Sequence, residues 1–217
     1  MTATTEKNPA ANYHLFKGMS VTWVLDQWVE RQPDKTFVVW APFEGSEQRW
    51  TYAEMARDAK RFAAGLHARG VGLGDFVLML LDNSAAFLTA WFGCAYLGAV
   101  PVTTNTRSVA ENVNYFAEVM QPACAVTDST FAKIVRDACG DATPMIVSGN
   151  LNADDAAALG AESFATVFAD APIPEVSPDS GRNFAVQFTS GTTSRPKPTV
   201  WTNANALWGG RSMAMNL

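Results

Sequence analysis

The chain has 217 residues, 48% of them hydrophobic and 17% charged, with a net charge of −5. This apolar content excludes a disordered chain. At roughly 150 residues per domain, the length allows one large domain or one domain plus part of another, with enough core to need neither disulfides nor a structural metal. Sixteen Lys and Arg against 21 Asp and Glu leave no basic footprint for wholesale nucleic-acid binding.

Residues 1–18 form a polar N-terminal arm without the basic-then-apolar pattern of a signal peptide. MSVTWVLDQWVER (19–31) predicts a short helix stopped by Pro33, and Thr36–Trp40 (TFVVW) predicts a strand. Thr51 with Glu54 has the spacing of a capping box. Behind it, Tyr52, Met55, Ala56, Ala59, Phe62, Ala63 and Leu66 recur at helical spacing until Gly70 and Gly72 end the helix. The cluster Gly70-Val-Gly72-Leu-Gly74 follows a helix and precedes a strand, the reverse of the dinucleotide-binding order, and reads as a turn.

Phe76–Leu81 (FVLMLL) is a continuous apolar run, the mark of a strand covered on both faces. Asn83 or Ser84 caps the next helix, which runs to about Leu97 and is followed by the short strand AVPV. The stretch Asn83–Thr106 carries no charge, but Gly98 and Pro101 divide it into a buried helix and a buried strand rather than a membrane span. A helix with Val113, Phe116, Ala117 and Met120 on one stripe leads to the strand Ala123–Thr127. A helix with Phe131, Ile134, Val135 and Ala138 then leads to the strand Pro144–Ser148. This alternation predicts an α/β fold, a largely parallel sheet flanked by helices on both faces. Residues 149–181, rich in Ala, Asp and Pro, read as a mostly surface connection with a short element near Phe164–Phe168.

Cys94, Cys124 and Cys139 are odd in number and form no C-x-x-C pair, which reads as buried thiols in a reducing, cytoplasmic setting. With only His14 and His67 beside them, a zinc site is not expected. Charge is unevenly spread. From Asp137 to Asp179 there are eight acids and no base, whereas Arg182–Leu217 carries Arg182, Arg195, Lys197 and Arg211 and no acid. An anionic ligand would be welcome at that end.

The chemistry-bearing segment lies there. FAVQF reads as a buried strand, and Thr189, Ser190, Thr192, Thr193 and Ser194 then supply five hydroxyls around Gly191, followed by Arg195, Pro196 and Lys197. Hydroxyl and backbone N–H donors, a glycine that lets the backbone come close, and a lysine point charge make a polyphosphate cradle. A serine- and threonine-rich surface loop has the same composition, but it does not explain a lysine held behind a proline between two strand-like segments. The run is no Walker A loop, since no second glycine precedes Lys197.

Phe188-Thr-Ser-Gly-Thr-Thr-Ser-Arg-Pro-Lys-Pro198 resembles the phosphate-loop signature, approximately (F/Y)TSGTTGxPKG, of the adenylate-forming superfamily: acyl- and aryl-CoA synthetases, nonribosomal adenylation domains and luciferases. QPDK (32–35), WTYAEM (50–55), LDNS (81–84) and LGAVPVTTNTR (97–107) look like the same family's N-terminal half, in the same order. The resemblance implies that residues 19–217 are an incomplete N-terminal AMP-binding domain with its phosphate loop at 188–198, part of a large domain whose C-terminal lid is absent.

It further implies an ATP-dependent acid–CoA ligase that joins a carboxylate to the α-phosphate of ATP, releases pyrophosphate, and passes the acyl group to CoA. Thr189, Ser190, Gly191, Thr192, Thr193, Ser194 and Lys197 would bind the ATP phosphates with Mg²⁺. The catalytic residues and the magnesium-binding Glu would lie beyond Leu217, so the 217 residues alone are expected to be inactive. Adenylation for a carrier-protein thiol, or a non-catalytic nucleotide-binding relic, are the alternatives. Three departures stand out: Ser194 and Pro198 where the family mostly has Gly, and Asn203 where it often has His. Pro198 would stiffen the loop, and Asn203 would weaken a contact in the acyl pocket.

Overall fold

The computed structural model describes residues 15–189 and 195–215. Helix α1 (Val21–Arg31) starts where the Ser20 side chain accepts from the Trp23 N–H, and it stops at Gln32. Strand β1 (Thr36–Trp40) pairs antiparallel with β2 (Gln48–Thr51), a strand whose polar QRWT sequence gives no strand signal. Thr51 then caps α2 (Tyr52–Ala68). The Glu54 N–H donates to Thr51 Oγ1 at 3.2 Å, and the Thr51 N–H donates to Glu54 Oε2 at 2.8 Å. That reciprocal pair is the capping box expected from the sequence. The hydrogen bonds from Thr51 hold the Glu54 carboxyl below its ordinary pKa.

The main sheet contains β3 (Phe76–Leu80), β4 (Val100–Thr103), β5 (Cys124–Asp128), β6 (Met145–Ser148), β7 (Ala161–Ser163), β8 (Asn183–Thr189) and β9 (Lys197–Thr202). Their spatial order is β7-β6-β5-β3-β4-β8-β9, parallel throughout except for the antiparallel β8–β9 pair. Helices α3 (Ala85–Leu97), α4 (Ala110–Met120), α5 (Ala132–Cys139), α6 (Ala153–Ala158) and α7 (Asn203–Ala214) complete the chain. Successive strand residues point to opposite faces, so Val77 and Met79 pack with α2 and α3, while Leu78 and Leu80 pack with α4 and α5. Both faces of β3 are therefore apolar, as its unbroken hydrophobic run implies. The charge-free stretch 83–106 resolves into α3, a left-handed turn at Gly98 (φ 69°) and β4. Among the described residues, no helix is long and apolar enough to cross a membrane.

Residues 149–181 are mostly exposed, as expected, and hold more regular structure than the one short element expected near Phe164–Phe168. This segment contributes α6, the sheet-edge strand β7 and a 3-10 turn at Phe164–Thr166, and Val167 is only 1% exposed. Phe164 stacks on Phe62 at 4.7 Å, and Phe168 meets the same ring edge-on at 5.8 Å. Six-residue and three-residue elements are too short to show a periodicity, which is why the sequence conceals them. Buried Arg136 fastens the region by donating to the carbonyls of Leu159 (2.7 Å), Gly140 (2.6 Å), Thr143 (2.9 Å) and Gly160 (3.2 Å).

The thiols of Cys94 and Cys124 are buried and that of Cys139 is partly so. Burial pushes Cys124 up to about 12 and Cys139 up to about 11, so these are inert core thiols. His67 is structural: its Nδ1 lies 3.3 Å from the Val71 carbonyl oxygen at the end of α2.

Helix α2 approaches the 161–168 segment through Gly65, where a Cβ would fall 1.9 Å from the Val167 carbonyl oxygen. Gly65→Ala is expected to cost about 2–3 kcal/mol of stability. The same change at Gly209 in α7, with open space around it, should gain up to ~1 kcal/mol. Urea midpoints of the two variants check both signs.

Candidate functional site

Strand β3 leads through α3 to β4 on one side of it, and β4 leads through α4 to β5 on the other. Because α3 and α4 lie on opposite sheet faces, the turns leaving β3 and β4 diverge. A crevice opens at the carboxyl ends of these strands, the place where open α/β sheets take ligands. A cleft of about 680 Å³ lies there. Asp82 and Asn83 from the turn after β3 line it, with Thr103–Thr106 at and after the end of β4 and Gln187 and Thr189 from β8. Phe87, Trp91, Phe184 and Trp201 form its apolar wall, with Trp91 edge-on to Phe184 at 4.5 Å.

Of the residues singled out from sequence, Thr189 lines this cleft and Lys197 does not. The two face each other as the closing pair of the β8–β9 ladder, and Thr189 Oγ1 donates to the Lys197 carbonyl at 3.5 Å. Ser190, Gly191, Thr192, Thr193 and Ser194 lie outside the described residues. Phe188, the aromatic that precedes the hydroxyl run, stacks on Phe116 of α4 with centroids 4.0 Å apart. Its packing explains why an aromatic stands at that position.

Two departures from the motif take a different meaning. Pro198 sits within β9 opposite Phe188, in the outermost strand of the described sheet, where a missing N–H is tolerated. It is a strand residue rather than a stiffener of the loop. Asn203 does not line the cleft; it is buried at the start of α7. Its Oδ1 accepts from the Val21 N–H at 3.0 Å, and its Nδ2 donates to the Asp179 carbonyl at 3.1 Å. The side chain joins the first turn of α1 to the turn that enters β8.

Sequence alone marks the polar rim after β4 only through a resemblance and does not show that it lines a cleft. The available signal was a run of four hydrogen-bonding side chains immediately after a buried strand. Thr104 extends β4 alongside β3, both its N–H and its Oγ1 donating to the Met79 carbonyl at 3.0 Å. Thr103 Oγ1 donates to the Val186 carbonyl at 3.4 Å. Asp82 is the only charged residue among the described residues lining the cleft. Its N–H donates to Asp128 Oδ2 at 2.7 Å. Burial raises the Asp128 pKa above the ordinary aspartate value, and the nearby Asp82 carboxylate adds to this against that hydrogen bond. Among the described residues no group of His, Cys, Asp and Glu could hold a metal ion.

A family model described as AMP-binding enzyme matches residues 25–217. Crotonobetaine/carnitine–CoA ligase from Salmonella paratyphi A is 32% identical over 199 residues, which is 89% of this chain and 38% of that protein. The apo structure of Mycobacterium smegmatis MbtA is 30% identical with a TM-score of 0.75, covering 92% of this chain and 36% of MbtA. The anthranilate CoA ligase AuaEII, solved with anthranoyl-AMP, shares the fold at 18% identity. Its TM-score is 0.79, over 93% of this chain and 38% of that one. The chain thus spans 38% of the length of the curated relative it matches.

Replacing Asn203 by Ala should cost about 2 kcal/mol, because the Val21 N–H and the carbonyls it served lose their partner; thermal unfolding reads this. Asp128 gives a pH signature. A carboxyl whose folded pKa is raised contributes stability below its unfolded pKa and loses it as pH rises through the folded value. Asp128→Asn keeps an oxygen for the Asp82 N–H. It should match the parent near about pH 3 and exceed its unfolding midpoint near about pH 7. A gap that does not change with pH would overturn this account.

Proposed function

This chain belongs to the AMP-binding enzyme family, and we propose on that footing that it supplies the phosphate-gripping part of an ATP-dependent acid–CoA ligase. The observation that carries the reading is the position of Thr189. The hydroxyl-rich run begins there, at the carboxyl end of β8, on the rim of the cleft where the sheet changes direction. The name of the Salmonella relative supports CoA over a carrier-protein thiol as acceptor and a small carboxylic acid as substrate.

In the proposed first step, a substrate carboxylate oxygen attacks the α-phosphorus of MgATP. The new oxygen–phosphorus bond forms as the bond to the pyrophosphate oxygen breaks, giving an acyl-adenylate and magnesium pyrophosphate. Negative charge grows on the leaving group, so catalysis rests on positioning and on donors aimed at that charge. Thr189, Ser190, Gly191, Thr192, Thr193 and Ser194 would supply hydroxyl and backbone N–H donors to the β- and γ-phosphates, and Lys197 would add a cation. A CoA thiol then displaces AMP from the acyl carbon and leaves a thioester.

On this reading residues 19–217 are the first part of an AMP-binding domain that follows the arm 1–18. The acid–base and magnesium-holding groups come from the remainder of the fold that the longer relatives possess. The inert, reduced thiols are in keeping with a cytoplasmic enzyme.

The test is acid-dependent pyrophosphate release by a protein of the relatives' full length. Replacing Thr192 and Thr193 together by Ala should lower kcat/KM for ATP by about 10²-fold or more. Unchanged turnover at sub-saturating ATP would refute the phosphate-binding role.

A further inference from the structure

Helix α4 lies on the sheet face opposite α3, yet it reaches both flanks of the hydroxyl run. Before the run, Phe188 stacks on Phe116 and meets the Tyr115 ring edge-on at 6.1 Å, with planes 65° apart. After the run, the guanidinium carbon of Arg195 lies over the face of Tyr115, 5.2 Å from the ring centroid. Tyr115 is half-buried, Arg195 is exposed, and between them lies a cleft of about 180 Å³ that Glu111 and Glu118 also line. Two carboxylates around an aromatic face favour a cation there, by Coulomb attraction and by the ring quadrupole.

We infer that Tyr115 is a positioning residue for the proposed phosphate loop, setting the loop's exit by holding the Arg195 guanidinium on its ring face. The inference rests on the phosphate-binding reading above. The ladder pair Thr189–Lys197 fixes how far apart the strands stand, but a ladder alone does not fix the direction from which Arg195 and Pro196 enter β9. A planar cation laid on a ring at the side of that segment fixes this direction. The task needs an aromatic face rather than bulk: Phe preserves it and Leu does not. Tyr115 touches no phosphate on this account, and its effect on nucleotide passes through Arg195.

Isothermal titration of MgATP into a protein of the relatives' full length tests it. Tyr115→Phe should bind within about two-fold of the parent, and Tyr115→Leu about five-fold more weakly. Added to Arg195→Gln, the Leu change should cost little more, because both remove the same contact. Should Tyr115→Leu fail to fold, the apolar and flexible Tyr115→Met is read in the same way. Leu binding as tightly as Tyr, or losses that add in full in the double variant, would overturn the inference while leaving the phosphate site standing. Absence of MgATP binding by that full-length parent would remove the phosphate-binding reading and this inference with it.

Discussion

Burial of β3 on both faces constrains where every other part of the main sheet can go. Val77 and Met79 are taken by α2 and α3, Leu78 and Leu80 by α4 and α5, and none of the four is measurably solvent-exposed beyond 1%. A strand covered in this way must send its crossover to one face and receive its other neighbour from the opposite one. The diverging turns after β3 and β4 follow, and with them the cleft. The position of the site is thus a consequence of packing before any functional side chain is considered.

Beyond the pairing of β8 with β4, the β8–β9 pair is attached to this frame at three places. Phe188 stacks on α4, Trp91 of α3 meets Phe184, and Asn203 ties the end of β9 back to the start of α1. Contacts from helices on both faces therefore hold a ladder that would otherwise be a hairpin at the sheet edge, and an isolated hairpin is marginal in water. The Asn203 link spans 182 residues of sequence, so the orientation of the loop base depends on the first helix being in place.

What was legible in the sequence was whatever repeats or stands in fixed local order. The apolar run of β3, the stripe of α4 and the Thr51–Glu54 cap need only neighbours within a turn or two, and each formed as its pattern implied. The order from Phe188 to Pro198 likewise sets its hydroxyl run after a strand, and β8 ends at Thr189. Strands β2 and β7 and helix α6 carry too few residues to declare a period. Val167 is buried by a turn rather than by a repeat. The site was half legible for a related reason: its lining joins the ends of β3, β4 and β8, and no local pattern says which strand ends will be neighbours. Asn203 was misread because its partners, Val21 and Asp179, are distant in sequence.

The electrostatics of the cleft sharpen what the loop has to do. Among its described lining residues the one formal charge is Asp82, an anion, and the rest are hydroxyls, amides, aromatic rings and aliphatic side chains. A polyphosphate brought to such a cleft meets repulsion from the frame, and the frame's few dipoles do not reverse it. Attraction must then come from groups outside the described lining. Arg195 and Lys197 supply two of the four cations in the acid-free tail, and both stand at the loop's exit. Neither lines the cleft, so how far their charge reaches a ligand depends on where the exit segment is held. A frame of this kind is selective in a simple physical sense. It offers an anion little by itself, so on the proposed phosphate-binding reading the attraction comes from the loop's hydroxyls and from Arg195 and Lys197. The aromatic contacts of α4 at Phe188 and Arg195 flank that loop, and they couple the packing of the sheet's far face to the charge available at its edge.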